Sequence, residues 1–453
     1  MLAQLQAPKG SLNGKGNRKK NPYRVLVLSR NYPNRVTPLL GLWVEGLVRS
    51  VAENCDVRVV APTPYCPPLP GLSRYKRFRQ VALQEQLNGV EVFHPRFLAG
   101  PGYSLHDLEA KAYYWSIRNQ IDQLRRTFPF ELIHAHFGYP DGVVAARFAR
   151  RYRVPFVITE HALWRPWMDD HPRVRRQAVW ASGECAFHIA VSGHTRDTIS
   201  HFTGQTDRLR VIHDGVDGAV FTPLPDDLKP VSDQILFVGV MRHVKGVDVL
   251  LRAMRRLVDR QPAARLVLVG GGFYKSYVLE ENRLRNLARE LDLTSNVEFV
   301  GLKSPIEVAK YMRESTMLVL PSRRETFGAV LIESLACGTP VIATDCGGPS
   351  EIVNHKVGLL VPVEDVEALA NAMATLLERR ENYDSAELRS YALGNFSWKR
   401  VADQTLSLYR DAIERRRTNI SSPMKPNSFA ADKDLSKDPG HSATNIRHRM
   451  ERT

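Results

Sequence analysis

Short apolar runs alternate with amphipathic helical stretches in two successive parts of the 453-residue sequence. In the first half, apolar runs at 24–29 and 57–61 enclose a helical pattern over 42–53. This order of strand, helix and strand favours parallel pairing of the two strands. Further strand-like runs lie at 131–137, 155–161, 187–192 and 210–215, and helical stretches at about 104–127, 140–152 and 173–184. The pattern predicts a doubly wound α/β domain over residues 22–215.

A break in the alternation separates this domain from a second one. Residues 216–234 contain three prolines and four aspartates with little periodicity, and we interpret them as the linker between two domains. The alternation then resumes, which predicts a second domain of the same design over residues 235–396 and a closing helix over 397–417. The ends of the chain, 1–21 and 418–453, carry few large apolar residues and are predicted to be disordered.

Several kinds of protein are excluded by what the sequence lacks. No G-x-G-x-x-G follows the first strand of either domain and no G-x-x-x-x-G-K-[ST] occurs, which argues against dehydrogenases and P-loop enzymes, so no cofactor is expected. The five cysteines are far apart and never form a C-x-x-C pair, as in a protein of the reducing cytoplasm. No stretch approaches 18 consecutive apolar residues, which argues against a transmembrane helix. We therefore expect a cytoplasmic protein.

Positive charge is concentrated in the first predicted domain. Residues 21–215 hold 25 basic and 17 acidic residues, a net charge of +8, whereas residues 216–417 hold 27 of each. The segment 71–80 interleaves basic with aromatic side chains: Arg74, Lys76, Arg77, Arg79, Tyr75 and Phe78. Such a segment suits the headgroup region of an anionic membrane, whereas nucleic acid is not expected because no nucleic-acid-binding module accompanies it. Peripheral attachment to the inner face of the membrane is one hypothesis, and charge that merely keeps the protein soluble is the alternative.

The segment 321–351 is the strongest candidate for a binding site. Glu325 follows a predicted strand, Thr326-Phe327-Gly328 opens a helix, and Glu333 lies inside that helix, eight residues after Glu325. Free backbone N–H groups at a helix start suit oxygen-rich, anionic ligands, and carboxylates add acceptors for sugar hydroxyls. Two carboxylates at this separation could hold two polyol rings of one ligand. The alternative is one acidic residue that complements the helix dipole and one surface glutamate.

The sequence around these residues resembles that of a known protein family. The run from 325 to 353, ETFGAVLIESLACGTPVIATDCGGPSEIV, is similar to the Glu-x7-Glu signature of the retaining glycosyltransferases of family 4, also called glycosyltransferase group 1. The resemblance covers about 22–400 and includes NYPNRVTPLLGLWVEGLVRSVAE, IHAHFGYPDG and FVGVMRHVKGVDVLLRAM. It implies the GT-B fold, in which two Rossmann-like domains face a central cleft. It also implies transfer of a sugar, with retention, from a nucleotide-sugar donor to a glycan or lipid-linked acceptor, in cell-surface polysaccharide or glycolipid synthesis.

The resemblance implies a role for each matching residue of the signature. Glu333 matches the glutamate that accepts hydrogen bonds from the ribose hydroxyls of the nucleotide, and Glu325 matches the one beside the transferred sugar. Phe327, Gly328 and Ala329 match the residues whose backbone N–H groups lie nearby. Glu325 is therefore a catalytic candidate, and the other four are candidates for donor binding.

Three matches outside the signature complete the expected site. Lys245 matches the lysine that contacts the donor diphosphate, which gains negative charge as the glycosidic bond breaks. Gly41 lies in the first-loop glycine region, where a missing side chain lets the backbone approach the phosphates. His161, at a strand end, matches the histidine near the transferred sugar and is the second catalytic candidate.

Two positions depart from the family pattern. Val240 occupies the position of an arginine that commonly follows the strand glycine, and Arg242 is the candidate to replace it. His213-Asp214-Gly215 stands where the family has Pro-Asn-Gly, a change expected to bear on the donor phosphates. No metal is expected, because the single Asp-x-Asp, at 432–434, lies in the predicted disordered tail, and cationic groups with helix N-termini can neutralise a diphosphate. A nucleotide-sugar epimerase of the same fold and a non-catalytic sugar-nucleotide-binding protein remain alternatives.

Overall fold

The computed structural model describes residues 23–65, 73–97, 106–225, 230–271 and 275–421. Within these ranges the strands are β1 (Arg24–Leu28), β2 (Asp56–Val60), β3 (Thr63–Pro64), β4 (Gln84–Leu87), β5 (Val90–Phe93), β6 (Arg96–Phe97), β7 (Leu132–His136), β8 (Phe156–Glu160), β9 (Phe187–Ala190), β10 (Leu209–Val211), β11 (Gln234–Val240), β12 (Arg265–Gly271), β13 (Val297–Gly301), β14 (Met317–Leu320), β15 (Val341–Thr344) and β16 (Gly358–Val361). The α-helices are α1 (Leu42–Val51), α2 (His106–Thr127), α3 (Val143–Tyr152), α4 (Trp167–Asp170), α5 (Pro172–Glu184), α6 (Gly193–Thr203), α7 (Val247–Val258), α8 (Lys275–Glu290), α9 (Pro305–Glu314), α10 (Ala329–Ala336), α11 (Val366–Glu378), α12 (Ser385–Phe396) and α13 (Trp398–Ser421).

Two sheets organise the chain. The first has the order β10-β9-β8-β7-β1-β2-β5-β4 and is parallel except for the pairing of β4 with β5. The second has the order β13-β12-β11-β14-β15-β16, and all its pairings are parallel. Helices cover both sheets, as parallel sheets buried on both faces require. The predicted pair of doubly wound α/β domains is confirmed.

Each sheet has a switch point where the strand order reverses, and ligands of such folds bind outside the carboxyl ends of the strands at that point. In the second sheet the reversal lies between β11 and β14, so the segments 241–248 and 321–328 meet there. In the first sheet it lies between β1 and β7, which are followed by the segments 29–41 and 137–142. The fold therefore brings together segments that are far apart in the sequence.

The last helix returns to the first sheet. Although α13 follows the second domain in sequence, its Val401, Tyr409 and Ile413 side chains are buried in one core with Val25 of β1 and Val44 of α1. The helix runs to Ser421, four residues past the predicted end at 417. Chain ends predicted to be disordered fall mostly outside the described residues. No helix in the described ranges is long and apolar enough to cross a membrane.

Some local elements differ from the sequence-based expectations. Helix α6 and helix α12 were not predicted, because residues 193–203 and 385–396 contain few large apolar side chains at regular spacing. Helix α3 begins at Val143 rather than at residue 140, after an irregular turn at Gly138–Gly142. Phe137, immediately before this turn, has a positive φ of 77°. These differences leave the order of the main strands unchanged.

Candidate functional site

The centre of the site is an ion pair between two of the predicted residues. Lys245 ends a short 3₁₀ turn after β11, and Glu325 follows β14, so the reversal of strand order in the second sheet brings them together. Lys245 Nζ lies 2.5 Å from Glu325 Oε2, which also accepts a hydrogen bond of 3.3 Å from Ser322 Oγ. Both side chains stay partly exposed, at 21% for Lys245 and 11% for Glu325. A cation and a carboxylate therefore face the crevice side by side.

An arginine that sequence reasoning missed holds this arrangement in place. Arg323 donates from its two terminal nitrogens to the carboxylate oxygens of Asp248, at 2.9 and 3.0 Å, and from one of them to the His243 carbonyl at 2.6 Å. Burial acts against the Asp248 charge, but the hydrogen bonds from Arg323 hold the pKa of Asp248 below its ordinary value. The backbone N–H of Arg323 also donates to the Val244 carbonyl. Arg323 thus fixes the turn that carries Lys245 to the strand end that carries Glu325.

The helix start after Glu325 has the backbone geometry that its sequence predicts. Gly328, with φ +102°, immediately precedes α10, and the first N–H groups of a helix lack acceptors within it. Phe327 is buried, and its ring stacks on His213 with centroids 5.0 Å apart. Phe327, Gly328 and Ala329 therefore present backbone beside Glu325, while the Phe327 ring contributes to the core. A Cβ on Gly348 would lie 2.4 Å from Phe327 Cα, so this glycine permits the close approach of the two loops.

Glu333 lies deeper in the same helix and is the most perturbed carboxyl of the site. It is half-buried in α10, and its side chain has no hydrogen-bond partner among the described residues. Burial, and then the neighbouring charge of Asp214, raise the pKa of Glu333 to about 8. A carboxyl group without a partner beside a crevice can accept hydrogen bonds from a ligand, and ligand hydroxyls would favour its ionised form.

His161 is anchored inside the first domain. Its Nε2 lies 2.9 Å from His136 Nδ1, its Nδ1 lies 3.4 Å from Asp214 Oδ1, and its ring contacts those of Trp43 and Phe137. Its side chain is 6% exposed. The structure therefore places Asp214, a residue that the sequence marked as a departure from the family pattern, beside His161.

Two further histidines extend this cluster into the core and were missed by sequence reasoning. His134 and His136 are fully buried neighbours on β7, and burial lowers the pKa of both, to about 3 for His134. The Tyr409 hydroxyl of α13 lies 2.6 Å from His134 Nδ1. The sequence signal for these two residues was the alternation of histidine with apolar residues in IHAHF (133–137), because residues two apart on a strand share a face. The last helix is thus tied to the strand behind His161.

The other two predicted residues, Gly41 and Arg242, have surroundings unlike those of the residues described above. Gly41 precedes α1 with φ +77°, and a Cβ there would lie 2.1 Å from the Asn31 carbonyl oxygen, so the loop itself requires a glycine. Arg242 is exposed, and its guanidinium lies over the Tyr277 ring, 5.7 Å from the centroid. Among the described residues, no hydrogen bond joins the Arg242 side chain to Lys245 or Glu325.

The two domains contact each other beside the site. Ser192 Oγ, at the start of α6, donates to the Thr326 carbonyl at 2.5 Å. The Glu351 carboxylate accepts from the backbone N–H groups of Gly193 and His194, at 3.0 and 3.2 Å. A carboxylate at a helix N-terminus is stabilised by the helix dipole, so this contact holds the signature loop against the first domain.

The described residues contain no group of three or more His, Cys, Asp or Glu side chains that could hold a metal ion. The Asp-x-Asp at 432–434 lies outside them. The basic segment forms a 3₁₀ helix over Ser73–Gln80, on which Lys76, Arg77 and Arg79 are exposed, whereas the Arg74 side chain lies outside the described part. Arg77 lies over the Phe78 ring, 5.3 Å from its centroid.

Comparisons with known proteins place this geometry in context. A family model described as "Glycosyltransferase Family 4" matches residues 40–219, and one described as "Glycosyl transferases group 1" matches 226–392. The D-inositol 3-phosphate glycosyltransferase of Jonesia denitrificans is 32% identical over 355 residues, which cover 71% of this chain and 81% of that protein. The protein of the same name from Frankia alni is 32% identical over 353 residues, 72% of this chain and 85% of that protein.

Solved structures show the same architecture. Sucrose-phosphate synthase from Thermosynechococcus elongatus superposes with a TM-score of 0.73 at 22% identity, and the match covers 87% of this chain and all of that one. HepE from Anabaena, in complex with UDP-glucose, superposes with a TM-score of 0.64 at 19% identity, covering 87% of this chain and all of that one. These likenesses establish a shared fold.

Proposed function

Because this chain belongs to family 4 of the glycosyltransferases and has the GT-B fold, we propose that it transfers a sugar, with retention, from a nucleotide-sugar donor to a glycan or lipid-linked acceptor. Cell-surface polysaccharide or glycolipid synthesis is the process we propose for it. The observation that carries the proposal is the arrangement of Lys245 and Glu325 as neighbours at the start of α10, with Glu333 further along that helix and without a hydrogen-bond partner in the described ranges. This arrangement offers a cation, backbone donors and two carboxyl groups along one ligand.

Each group has a distinct task in the proposed reaction. Lys245 stabilises the departing diphosphate, where negative charge develops as the bond to the sugar breaks. Glu333 accepts from the ribose hydroxyls, and Glu325 accepts from hydroxyls of the transferred sugar. His161 lies on the first-domain side of that sugar. In a retaining reaction, the acceptor oxygen bonds to the anomeric carbon on the face that the diphosphate leaves, and a diphosphate oxygen takes the acceptor proton.

A donor screen tests the proposal directly. HepE has the same fold and was solved with UDP and with UDP-glucose, which supports UDP-sugars as the first donors to test. The purified protein is incubated with UDP-, GDP- and ADP-sugars, and released nucleotide, free sugar and isomerised donor are all measured. Release of nucleotide with the sugar in its original anomeric form supports the proposal. An isomerised nucleotide sugar would indicate an epimerase instead, and tight binding without any product would indicate a sugar-nucleotide-binding protein.

We propose that the reaction needs no metal, because Lys245 and the N-terminus of α10 supply positive potential where other enzymes use a bridging ion. Turnover is expected to be unchanged in excess EDTA. Loss of turnover on chelation, restored by magnesium or manganese, would contradict this part of the proposal.

The acceptor is proposed to be anionic and to lie at a membrane surface. The first domain carries the net charge of +8, and the relatives are named for D-inositol 3-phosphate, a phosphorylated polyol. Exposed basic residues near an anionic membrane contribute on the order of 1 kcal/mol each, so the segment 73–80 could attach the protein reversibly to the inner face of the membrane.

Vesicle co-sedimentation tests the attachment. Binding to anionic vesicles is expected to exceed binding to neutral ones and to fall in ~1 M salt, where the Debye length is ~3 Å. Changing Arg74, Lys76, Arg77 and Arg79 to Ser is expected to abolish the preference. The matched control makes the same change at four exposed arginines of the second domain, Arg256, Arg260, Arg285 and Arg289. Equal losses in the two variants would show that total charge, rather than this segment, governs binding.

A further inference from the structure

Asp214 occupies a rigid position in the segment that follows β10. His213 Nδ1 lies 2.9 Å from the Val191 carbonyl oxygen, and the His213 ring is stacked on Phe327. On the other side of Asp214, a Cβ on Gly215 would lie 2.4 Å from the Trp398 ring. The backbone is therefore held against both domains, and the Asp214 side chain, which is 15% exposed, has little freedom to move away.

The Asp214 carboxylate lies between candidate residues of the two domains. Its Oδ1 is 3.4 Å from His161 Nδ1 on the first domain. After burial, which is the larger cause, the Asp214 charge also raises the pKa of Glu333 on the second domain. His161 and Asp214 line one small cavity between α1, the first sheet and α13, whose other walls include the apolar Leu47 and Ile189. An apolar surround strengthens the interaction of the two polar groups.

The proton arrangement on His161 follows from its two neighbours. The Asp214 carboxylate lies 3.4 Å from His161 Nδ1 without a hydrogen bond between them, and because a carboxylate can only accept, its charge favours the neutral His161 ring with the proton on Nδ1. Its Nε2 then accepts from Nδ1–H of His136, 2.9 Å away. Burial holds the pKa of His136 well below its ordinary value, so this second ring is neutral and carries one proton to donate. The Asp214 charge thus favours the His161 tautomer that accepts from His136.

We propose that Asp214 is a positioning residue of the donor site, which holds one orientation and tautomer of His161 and places a negative charge beside Glu333. The inference rests on the proposed function, in which His161 and Glu333 contact the donor. In this structure the side-chain contact of Asp214 lies at His161, and its charge also acts on Glu333. An asparagine at this position would have the same shape but no charge, and its amide could turn a donor towards His161.

The charge has a consequence for nucleotide binding. Ribose hydroxyls bind the ionised form of Glu333, and Asp214 disfavours that form. The titratable groups around Glu333 are Asp214, with His161 behind it, and Cys337 one helical turn further on, whose pKa burial raises to about 12, so that it stays neutral. Removing the Asp214 charge should therefore tighten nucleotide binding near pH 7 while turnover falls, because His161 is no longer held.

The test measures binding and turnover separately on full-length variants. In Asp214→Asn, UDP is expected to bind about threefold to tenfold more tightly at pH 7, since the binding-competent ionised fraction of Glu333 rises. The kcat for UDP-sugar hydrolysis is expected to fall roughly 10-fold to 100-fold, as for a displaced reactive group. The affinity of Asp214→Asn for UDP should also depend less on pH between 6 and 9. A purely structural lesion would weaken both binding and turnover.

Two further variants sharpen the result. Asp214→Glu keeps the charge, so its UDP affinity should follow the wild-type pH profile while kcat falls. Asp217→Asn makes the same charge change three residues along, where the carboxylate pairs with Arg49, and should leave the pH profile unchanged. An unchanged profile and kcat in Asp214→Asn, or a shifted profile in Asp214→Glu, would overturn the inference. Wild-type protein that neither binds UDP nor turns over any nucleotide sugar would instead overturn the proposed function.

Discussion

The two halves of the candidate site are built in different ways. On the second domain, Glu325, Phe327–Ala329 and Glu333 come from one continuous segment, and Lys245 joins them through a single turn held by Arg323. On the first domain, His161 is held by residues from β7, the segment after β10 and, through His134, the last helix. A continuous motif is visible in the sequence, whereas a dispersed cluster exists only once the chain has folded.

The two halves also differ in their electrostatics. The second-domain half contains the partly exposed charged pairs of Lys245 with Glu325 and Arg323 with Asp248. The histidines His134 and His136 on the first domain are buried, and their pKa values lie well below the ordinary value, so they are neutral near pH 7. Changes on the second domain should therefore alter donor binding and turnover, whereas changes at the buried His134 and His136 should first alter stability.

The largest effect is expected for Lys245→Ala. Loss of a preorganised charge at the leaving group typically costs 10²-fold to 10³-fold in rate, so kcat/KM for UDP-sugar hydrolysis should fall by roughly that factor. Arg242→Ala is the comparison within the same loop, because its side chain is exposed over Tyr277. Its effect should stay near threefold, as for most surface substitutions. Comparable losses in the two variants would show that Arg242 also acts on the diphosphate.

The next effect concerns Glu333 and pH. With a free pKa of about 8, the carboxyl group is largely protonated at pH 7. Ribose hydroxyls that donate to its ionised form lower that pKa in the complex, so binding releases a proton and tightens as pH rises from 6 to 9. Calorimetric titration of UDP in buffers of different ionisation enthalpy measures both quantities.

Two Glu333 variants separate this effect from titration of the nucleotide itself. Glu333→Ala should weaken UDP binding by roughly 1–3 kcal/mol at pH 9, the usual cost of losing hydrogen bonds to a charged group. Glu333→Gln should lose the part of the pH dependence that the wild type shows beyond that of free UDP. Proton release from Glu333→Gln equal to that of the wild type would remove Glu333 from the binding site.

A stability effect is expected for Tyr409→Phe. The buried hydroxyl lies 2.6 Å from His134 Nδ1, and its removal leaves that buried nitrogen without a partner, at a cost of about 1–3 kcal/mol in the free energy of unfolding. Urea unfolding measures the change, and Tyr65→Phe, at a residue that is 43% exposed, serves as control. UDP affinity should change little in Tyr409→Phe. A loss of UDP affinity with unchanged stability would mean that the histidine cluster acts on the donor rather than on the fold.

The smallest effect is expected for the contact between the domains. Glu351→Gln removes a charge from the N-terminus of α6 and should lower the free energy of unfolding by roughly 0.3–1 kcal/mol. Glu367→Gln is the matched control, since Glu367 forms exposed ion pairs with Arg256 and Arg260 on the second domain. If both variants have the same stability, the contact at α6 adds nothing beyond an ordinary surface charge.

Much of the fold could be predicted because local sequence determines it. The parallel strands are buried on both faces and read as short apolar runs, and the helices between them show regular apolar spacing. Helix α6 could not be predicted in this way, since few of its side chains are buried. The side chain of its N-cap residue, Ser192, accepts a hydrogen bond from the backbone N–H of Thr195 within the helix. The same hydroxyl donates to the carbonyl of Thr326 in the other domain. Part of the support for that helix therefore comes from contacts that sequence spacing does not reveal.

Local sequence is enough to identify the two α/β domains, the family and the candidate residues of the second domain, because these depend on periodicity and on one continuous motif. The tertiary structure decided which side chains meet. Arg323 reaches Asp248, Asp214 reaches His161, and Tyr409 reaches His134 across 275 positions of the chain. It also decided that Glu333 retains its proton near neutral pH, because burial and the Asp214 charge are properties of the folded surroundings. Spacing along a chain cannot specify these contacts, since the parallel sheets bring distant segments together at their carboxyl edges.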